Sequence, residues 1–125
     1  MSNVGLFRTS IGIEHPARRG ERRELRDVVV DTGSELTWIP REVLESIAIP
    51  RERMQRFILA DGRILERDIG FAIIHAGGTT AADHVVFAEG DMVRLGVRAL
   101  EGLNLRVDPI AKQLVPAGPI ITAAA

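Results

Sequence analysis

The chain has 125 residues, enough for one domain with a single modest core. Because hydrophobic residues make up 46% and charged residues 26%, the composition is globular and argues against disorder. The formal net charge of −1 provides no overall attraction to nucleic acid or to an anionic membrane, and the absence of cysteine excludes disulfides, thiolate catalysis and cysteine-based zinc sites.

The N-terminal residues 1–5 lack the basic start and apolar core of a secretory signal. The longest apolar runs fall far short of the roughly 20 residues that span a bilayer. We therefore expect a soluble, cytoplasmic protein with no membrane partner. Fifteen of the sixteen basic residues are arginine, which is typical of a GC-rich bacterial genome.

Two strands are predicted in the first third of the chain. In residues 7–13, mostly apolar side chains at the odd positions alternate with polar side chains or glycine at the even positions. This period of two predicts a strand. A charged stretch, residues 21–27, leads into Val28-Val29-Val30, whose β-branched side chains favour a buried strand. Asp31-Thr32-Gly33-Ser34 then interrupts that strand with residues typical of turns.

A short helix and two hairpins are predicted to follow. Pro40 suits the first position of a helix, and Pro50 closes the segment. Asp61-Gly62 between the apolar residues 57–59 and 64–65 predicts a tight hairpin. Gly77-Gly78 predicts a second hairpin turn, with residues 84–87 as its return strand.

The last third is predicted to contain a helix over about residues 98–103 and a strand that is stopped by Pro109. Residues 109–125 are compatible either with a frayed terminus or with a strand over residues 112–115 that helps join two subunits. At least six short strands, two short helices and no repeat predict a mostly-β fold, a small closed or sandwich-like barrel. We divide the chain into one domain, residues 1–116, and a C-terminal tail, residues 117–125.

The most informative segment is Val28-Val29-Val30 followed by Asp31-Thr32-Gly33-Ser34. At average residue frequencies, an Asp-Thr-Gly triplet occurs by chance in roughly one chain of this length in several tens. The β-branched run before it and the serine after it make chance occurrence rarer still. The alternative interpretation is an ordinary strand end, because all three residue types form turns.

Together with later segments, this triplet resembles the retroviral-type (retropepsin-like) aspartic proteases, including their bacterial single-domain relatives. The resemblance covers about residues 4–116 and depends on the order of five parts. They are the catalytic triplet, an apolar segment, a flap hairpin, an apolar-glycine element before a helix, and a closing strand: Asp31-Thr32-Gly33, Leu36-Thr37-Trp38-Ile39, residues 57–67, Arg94-Leu95-Gly96-Val97 and Leu105-Arg106-Val107-Asp108-Pro109. The resemblance implies a closed barrel of the acid-protease type with one lobe per chain.

The resemblance also implies catalysis by two carboxylates at one water, one accepting its proton while the other protonates the carbonyl oxygen. Only one such triplet occurs, and the nearest echo, Asp68-Ile69-Gly70, lacks the hydroxyl. The second carboxylate is therefore expected from the Asp31 of a second copy across a two-fold axis. By resemblance, the Thr32 hydroxyl bonds across that axis, and Gly33 permits a tight turn and a close approach.

Ala60-Asp61-Gly62-Arg63 is implied to form the tip of a flap that closes over the substrate and excludes water. Asp61 and Arg63 would then face the peptide or the partner flap. An ordinary surface turn is the alternative, because Asp-Gly between apolar strands indicates a hairpin and proves nothing about function.

Arg94 departs from the family pattern, which usually has an apolar residue before Leu95-Gly96, close to the catalytic loop. Three interpretations are open for this side chain. It turns its charge outward, it selects acidic substrates, or it marks a weakened enzyme.

Two residues after the triplet are further candidates for the site. Ser34 and Glu35 follow Gly33 directly, and relatives in retroviruses pair an acidic residue here with a late arginine. Glu35 and Arg98 could form this pair, although Val97 holds the usual arginine position.

The other candidates favour structure over chemistry. His15, His75 and His84 are scattered without metal-ligand spacing, so no metal site is expected. The arginines of residues 18–26 are interrupted by glutamates, which favours a solvated hairpin over a nucleic-acid patch. No phosphate-binding glycine loop and no serine nucleophile elbow occurs, and no cofactor is expected.

Three functions are compatible with the sequence. The leading hypothesis is a cofactor-free aspartic endopeptidase, active as a homodimer on peptide or protein substrates. The second is a catalytically weak or inactive dimeric module that keeps the fold and binds a peptide or protein partner. The third is a monomeric β-domain with an accidental triplet.

Overall fold

A computed structural model describes residues 7–90 and 92–123 of the chain. Regular structure in these residues consists of nine strands and two short helices. In chain order they are β1 (Phe7–Glu14), β2 (Arg23–Val30), β3 (Thr37–Pro40), α1 (Arg41–Ser46), β4 (Arg53–Ile58), β5 (Ile64–Ala76), β6 (Thr79–Ala88), β7 (Arg94–Leu95), α2 (Val97–Leu103), β8 (Leu105–Asp108) and β9 (Gln113–Pro116).

Six strands form a closed ring in the order β1-β2-β7-β3-β6-β5, and pairing of β1 with β5 closes it. The β2–β7 and β3–β6 pairs are parallel, whereas the other pairs in the ring are antiparallel. Fully buried aliphatic side chains from different strands fill the ring, among them Ile13, Val30, Ile74 and Leu95. The predicted mostly-β fold with a small closed barrel is confirmed.

The 13-residue strand β5 belongs both to the ring and to a hairpin outside it. Its second half pairs with β1 and β6, and its first half pairs with β4 over residues 64–69. At the change of partner, a Cβ on Gly70 would lie only 2.5 Å from the Pro50 carbonyl oxygen, so only glycine fits. The β4–β5 hairpin contains the residues predicted to form a flap and is named the flap for that reason, while its closure over a substrate stays a prediction. β4 is the edge strand of the sheet.

Both predicted helices are present. Pro40 lies at the N-cap of α1, which buries Val43 and Leu44. Helix α2 begins at Val97, one residue before the predicted start, and ends at Leu103; its C-cap is Asn104, whose φ of 55° is left-handed. An asparagine tolerates that conformation better than most residues, which explains the sharp turn into β8.

The C-terminal region is ordered as a hairpin in which β9 pairs with β8 of the same chain. The strand covers residues 113–116, and the Ala117 N–H donates to the Asn104 carbonyl oxygen at 2.9 Å. The frayed alternative is therefore wrong for these residues. A role of this strand in joining two subunits stays a prediction, as does the division into residues 1–116 and 117–125.

No helix within residues 7–90 and 92–123 is long and apolar enough to cross a membrane.

Candidate active site

The Asp31 loop and the Arg94-Leu95-Gly96 segment meet because β2 and β7 run in parallel. Val29 pairs with Arg94 and Val30 with Leu95, so the chain leaves both strands at the same edge. The Asp31 N–H extends the ladder by donating to the Leu95 carbonyl oxygen at 2.9 Å. Two motifs that are about 60 residues apart in sequence therefore form one site.

The loop after β2 is a tight turn built around Asp31. Its Oδ1 accepts the Gly33 N–H at 3.0 Å, and its carbonyl oxygen accepts the Ser34 N–H at 3.0 Å. The Ser34 hydroxyl donates to the Leu36 carbonyl oxygen at 2.8 Å. The Asp31 side chain keeps 18% of its surface exposed, and Thr32 and Gly33 are exposed, so the turn presents these residues at the molecular surface.

Gly33 does not occupy a left-handed conformation, unlike Gly62 or Gly77. A Cβ at Gly33 would have one neighbour, Asp31 Oδ1 at 3.3 Å. Within one chain, the tight turn is therefore present but does not itself require glycine at this position. The other expected reason, close approach of a partner or substrate, stays a prediction.

Gly96 is the glycine that the site does require. A Cβ there would lie 2.4 Å from the Leu36 carbonyl oxygen and 2.9 Å from that of Ser34. The Gly96 N–H donates to the hydroxyl of the fully buried Thr37 at 3.0 Å. Sequence reasoning missed this role of Thr37; the signal available was a lone hydroxyl within an apolar segment.

The guanidinium of Arg94 lies against the Asp31 carboxylate. Arg94 Nη1 donates to Asp31 Oδ2 at 2.5 Å, and the Arg94 side chain is 41% exposed. The charge therefore turns onto the carboxylate, and the interpretation that it points away from the site is wrong. One oxygen of Asp31 accepts from Arg94 and the other from the Gly33 N–H, and the ion pair is neutral overall.

Glu35 and Arg98 are brought together by their backbones only. The Arg98 N–H donates to the Glu35 carbonyl oxygen at 3.1 Å, and the Val97 N–H donates to that of Ser34 at 2.8 Å. Among the described residues, no ion pair joins the Glu35 and Arg98 side chains, so the expected charge pair is not formed.

The flap tip is a compact turn. The Gly62 N–H donates to the Leu59 carbonyl oxygen at 2.9 Å, with Gly62 at a φ of 89° that favours glycine. Asp61 accepts from Arg63 twice, from the backbone N–H at 3.0 Å and from Nε at 2.6 Å, and Ala60 is exposed beside them. The two charged residues thus neutralise each other, and no hydrogen bond within residues 7–90 and 92–123 joins the tip to Asp31.

The underside of the flap packs against the segment that follows the Asp31 loop. The Phe57 ring lies 4.9 Å from the Trp38 ring, and both belong to a cluster outside the barrel core with Leu36, Ile69 and Val86. This packing fixes the flap on the side of the barrel where the Asp31 loop continues into β3.

The carboxylate with the most strongly shifted pKa lies elsewhere, at the end of β1. Glu14 accepts from the Gly20 N–H at 2.6 Å, from His75 Nε2 at 2.6 Å and from Arg19 Nε at 2.8 Å. These bonds, the Gly20 bond first, lower the pKa of Glu14 to about 2 against the opposing effect of burial. His75 is thus a partner of a carboxylate, and the His84 ring packs against the Phe71 ring in a tilted arrangement, with 4.7 Å between the ring centroids.

No cluster of three or more histidine, aspartate or glutamate side chains suited to a metal ion occurs in the described part of the chain. No family model matches the chain, and no curated protein matches it.

A solved structure does match: the solution structure of the simian foamy virus (mac) protease. The likeness has a TM-score of 0.51 and covers 75% of this chain and 91% of that one, at 16% sequence identity. At this identity the likeness shows the fold alone. The chain therefore has a fold similar to that of a retroviral protease, as the sequence predicted.

Proposed function

We propose that the protein is an aspartic endopeptidase that acts as a homodimer, with one Asp31 from each chain. One observation carries the proposal: Asp31 lies half-buried in an outward-facing turn of a retropepsin-like fold, next to the exposed Thr32 and Gly33. This is where a second copy can approach along a two-fold axis.

In this proposal the two Asp31 carboxylates hold one water and share one proton, since like charges at such a distance do not both ionise. The ionised member accepts a proton from the water, and the protonated member donates to the carbonyl oxygen of the peptide bond. The pH dependence belongs to the pair and not to one residue. No cofactor takes part.

Neighbouring residues have supporting roles in this mechanism. The Gly33 N–H orients the Asp31 carboxylate through its bond to Oδ1. Thr32 is exposed and free to bond across the dimer axis. The flap, with Asp61 and Arg63 at its tip, closes over the bound peptide and excludes water.

The test is Asp31→Asn, assayed with a peptide library at mildly acidic pH. We expect turnover to fall by between about a hundredfold and ten thousandfold, because the amide cannot accept the proton. Asp68→Asn is the matched control, because Asp68 belongs to the other Asp-x-Gly sequence and pairs with Arg51 at the surface. Unchanged turnover in Asp31→Asn, or a solitary chain at high concentration in sedimentation, contradicts the proposal.

A second function is favoured by Arg94, which occupies an oxygen that catalysis needs. In that case the protein is a catalytically weak or inactive dimeric module whose groove holds a peptide or partner protein. A dimer that binds peptides but shows no hydrolysis dependent on Asp31 supports this second function. Robust hydrolysis that a pepstatin-type transition-state mimic inhibits excludes it.

A further inference from the structure

A groove of about 300 Å³ runs beside the candidate site, between the flap strand β4 and the segment that follows the catalytic loop. Glu35 and Leu36 form one wall, and Arg98 lines it from the start of α2. Arg53 and Phe57 of β4 line the opposite wall. Glu35 lies four residues after Asp31 in the sequence, so this wall of the groove continues directly from the Asp31 loop.

The charge in the groove is unbalanced. Arg53, Arg56 and Arg98 line it, and Glu35 is its one carboxylate. Within residues 7–90 and 92–123, neither Arg53 nor Arg98 forms an ion pair: Arg53 donates to the side-chain oxygen of Gln55, and Arg98 bonds through its backbone.

The third arginine is only weakly neutralised. Arg56 lies 3.9 Å from Glu66, and both side chains are more than half exposed. Such a pair contributes little, because water screens it. Arg51 shows the contrast, since Glu45 at 2.7 Å and Asp68 at 2.9 Å both hold it.

We propose that this arginine groove selects peptides that carry acidic side chains on one flank of the cleaved bond, an inference that rests on the proposed peptidase function. A guanidinium presents two parallel N–H groups that match a carboxylate, so each arginine can bind one acidic side chain in a defined orientation. Leu36 and Phe57 supply the apolar surface on which the stems of such side chains pack.

The strand that carries Arg53 is also suited to align a peptide. β4 ends the order of the sheet, so one of its edges has no partner strand among the described residues. An extended peptide can pair with the backbone groups of such an edge. Side chains of that peptide then alternate, and every second one lies on the face of β4 that carries Arg53 and Phe57.

The test measures binding apart from cleavage. Two fluorescent decapeptides share a central Leu-Phe and differ only in having glutamates or glutamines around it, and both are titrated by anisotropy into the Asp31→Asn protein. We expect the glutamate peptide to bind about fivefold more tightly, and Arg53→Gln or Arg98→Gln to weaken only that peptide, by about two- to fivefold each. The preference should shrink between about 0.05 M and about 1 M salt, because salt screens exposed charges.

Arg18→Gln is the matched control, since Arg18 is exposed in the β1–β2 connection and does not line the groove. Equal affinity for the two peptides, or an equal loss in Arg18→Gln, overturns the proposal. If both peptides are cleaved equally well in a reaction that depends on Asp31, the arginine-groove proposal is wrong and the proposed peptidase function is supported. A salt-sensitive acidic preference without any cleavage supports the groove and rejects the peptidase.

Discussion

Glu14 and Asp31 are carboxylates at the ends of neighbouring strands, β1 and β2, and the fold surrounds them to different extents. The Glu14 side chain is 3% exposed and accepts hydrogen bonds from three donors of its own chain. Two of them, Arg19 and Gly20, belong to the β1–β2 connection, and the third is His75 of β5. The Asp31 side chain is 18% exposed and accepts from one backbone N–H and one arginine.

The difference separates a structural carboxylate from one that is available for chemistry. A carboxylate saturated by donors holds the backbone and excludes other partners, as Glu14 does for the β1–β2 connection through Gly20. Asp31 lies at the surface and can be approached by water, a substrate or a second chain. A shifted pKa alone would select Glu14, whereas exposure and an outward-facing turn select Asp31, so the two criteria disagree in this molecule.

The largest expected effect comes from making the same change at both carboxylates. Asp31→Asn should lower turnover by at least about a hundredfold and change the free energy of unfolding by no more than about 1 kcal/mol. Asn keeps an acceptor for Gly33, and the partly exposed Arg94 side chain can turn to water when the new NH₂ group faces it. Glu14→Gln should leave turnover unchanged and lower the free energy of unfolding. Its NH₂ group would face hydrogen-bond donors at a place where a carboxylate oxygen accepts in the natural protein.

Peptide turnover and the midpoint of urea unfolding are measured for each variant. The turnover of Glu14→Gln is assayed without urea, where this variant is folded. The comparison fails if Glu14→Gln loses activity while folded, or if Asp31→Asn is the less stable of the two.

The next largest effect is expected where the Gly96 backbone packs against the segment that follows the Asp31 loop. Gly96→Ala places a Cβ against the backbone of Leu36 and should lower the free energy of unfolding by about 3 kcal/mol. Gly33→Ala is the matched control in the Asp31 loop and should lower the free energy of unfolding by less than about 1 kcal/mol, since its nearest neighbour is a side-chain oxygen at 3.3 Å. Thermal unfolding of both variants decides; equal midpoints would show that the close approach at Gly96 is not required.

Much of this architecture could be predicted because its signals are local. A β-branched run before Asp31, a proline before α1 and Asp-Gly at the flap each determine a short piece of chain, and the structure contains all three. The order of motifs also predicted Gly96 as a residue near the site, and the structure shows its backbone packed against Ser34 and Leu36.

The unpredicted contacts depend on strand pairing between distant residues. Arg94 reaches Asp31 across 63 positions because β7 lies parallel to β2, and no local pattern encodes that register. Glu14 lies in an alternating strand where a charge normally points to solvent, yet His75 of β5 and the β1–β2 connection enclose it. The β8–β9 hairpin likewise depends on a pairing that prolines obscure in the sequence.

The pH dependence of stability sharpens the comparison at Glu14. Its pKa is about 2 in the folded chain and 4.5 ordinarily, so between these values the unfolded chain binds a proton that the folded chain does not. The stabilisation by Glu14 is therefore complete above pH 4.5 and is lost as the pH falls towards 2. The gap between the urea midpoints of the natural protein and Glu14→Gln should narrow over this window; a constant gap would contradict it.

The smallest effect is expected from Arg94→Leu, which restores the apolar residue usual at this position in relatives. If Arg94 competes with the second carboxylate for Asp31, its removal should raise kcat/KM by about fivefold, the equivalent of one partly exposed charged hydrogen bond. Arg98→Leu, an arginine without contact to Asp31, serves as the matched control on a neutral peptide. A fall in kcat/KM in Arg94→Leu alone would instead make Arg94 a positioning residue for the carboxylate, because losing a competitor cannot slow the reaction.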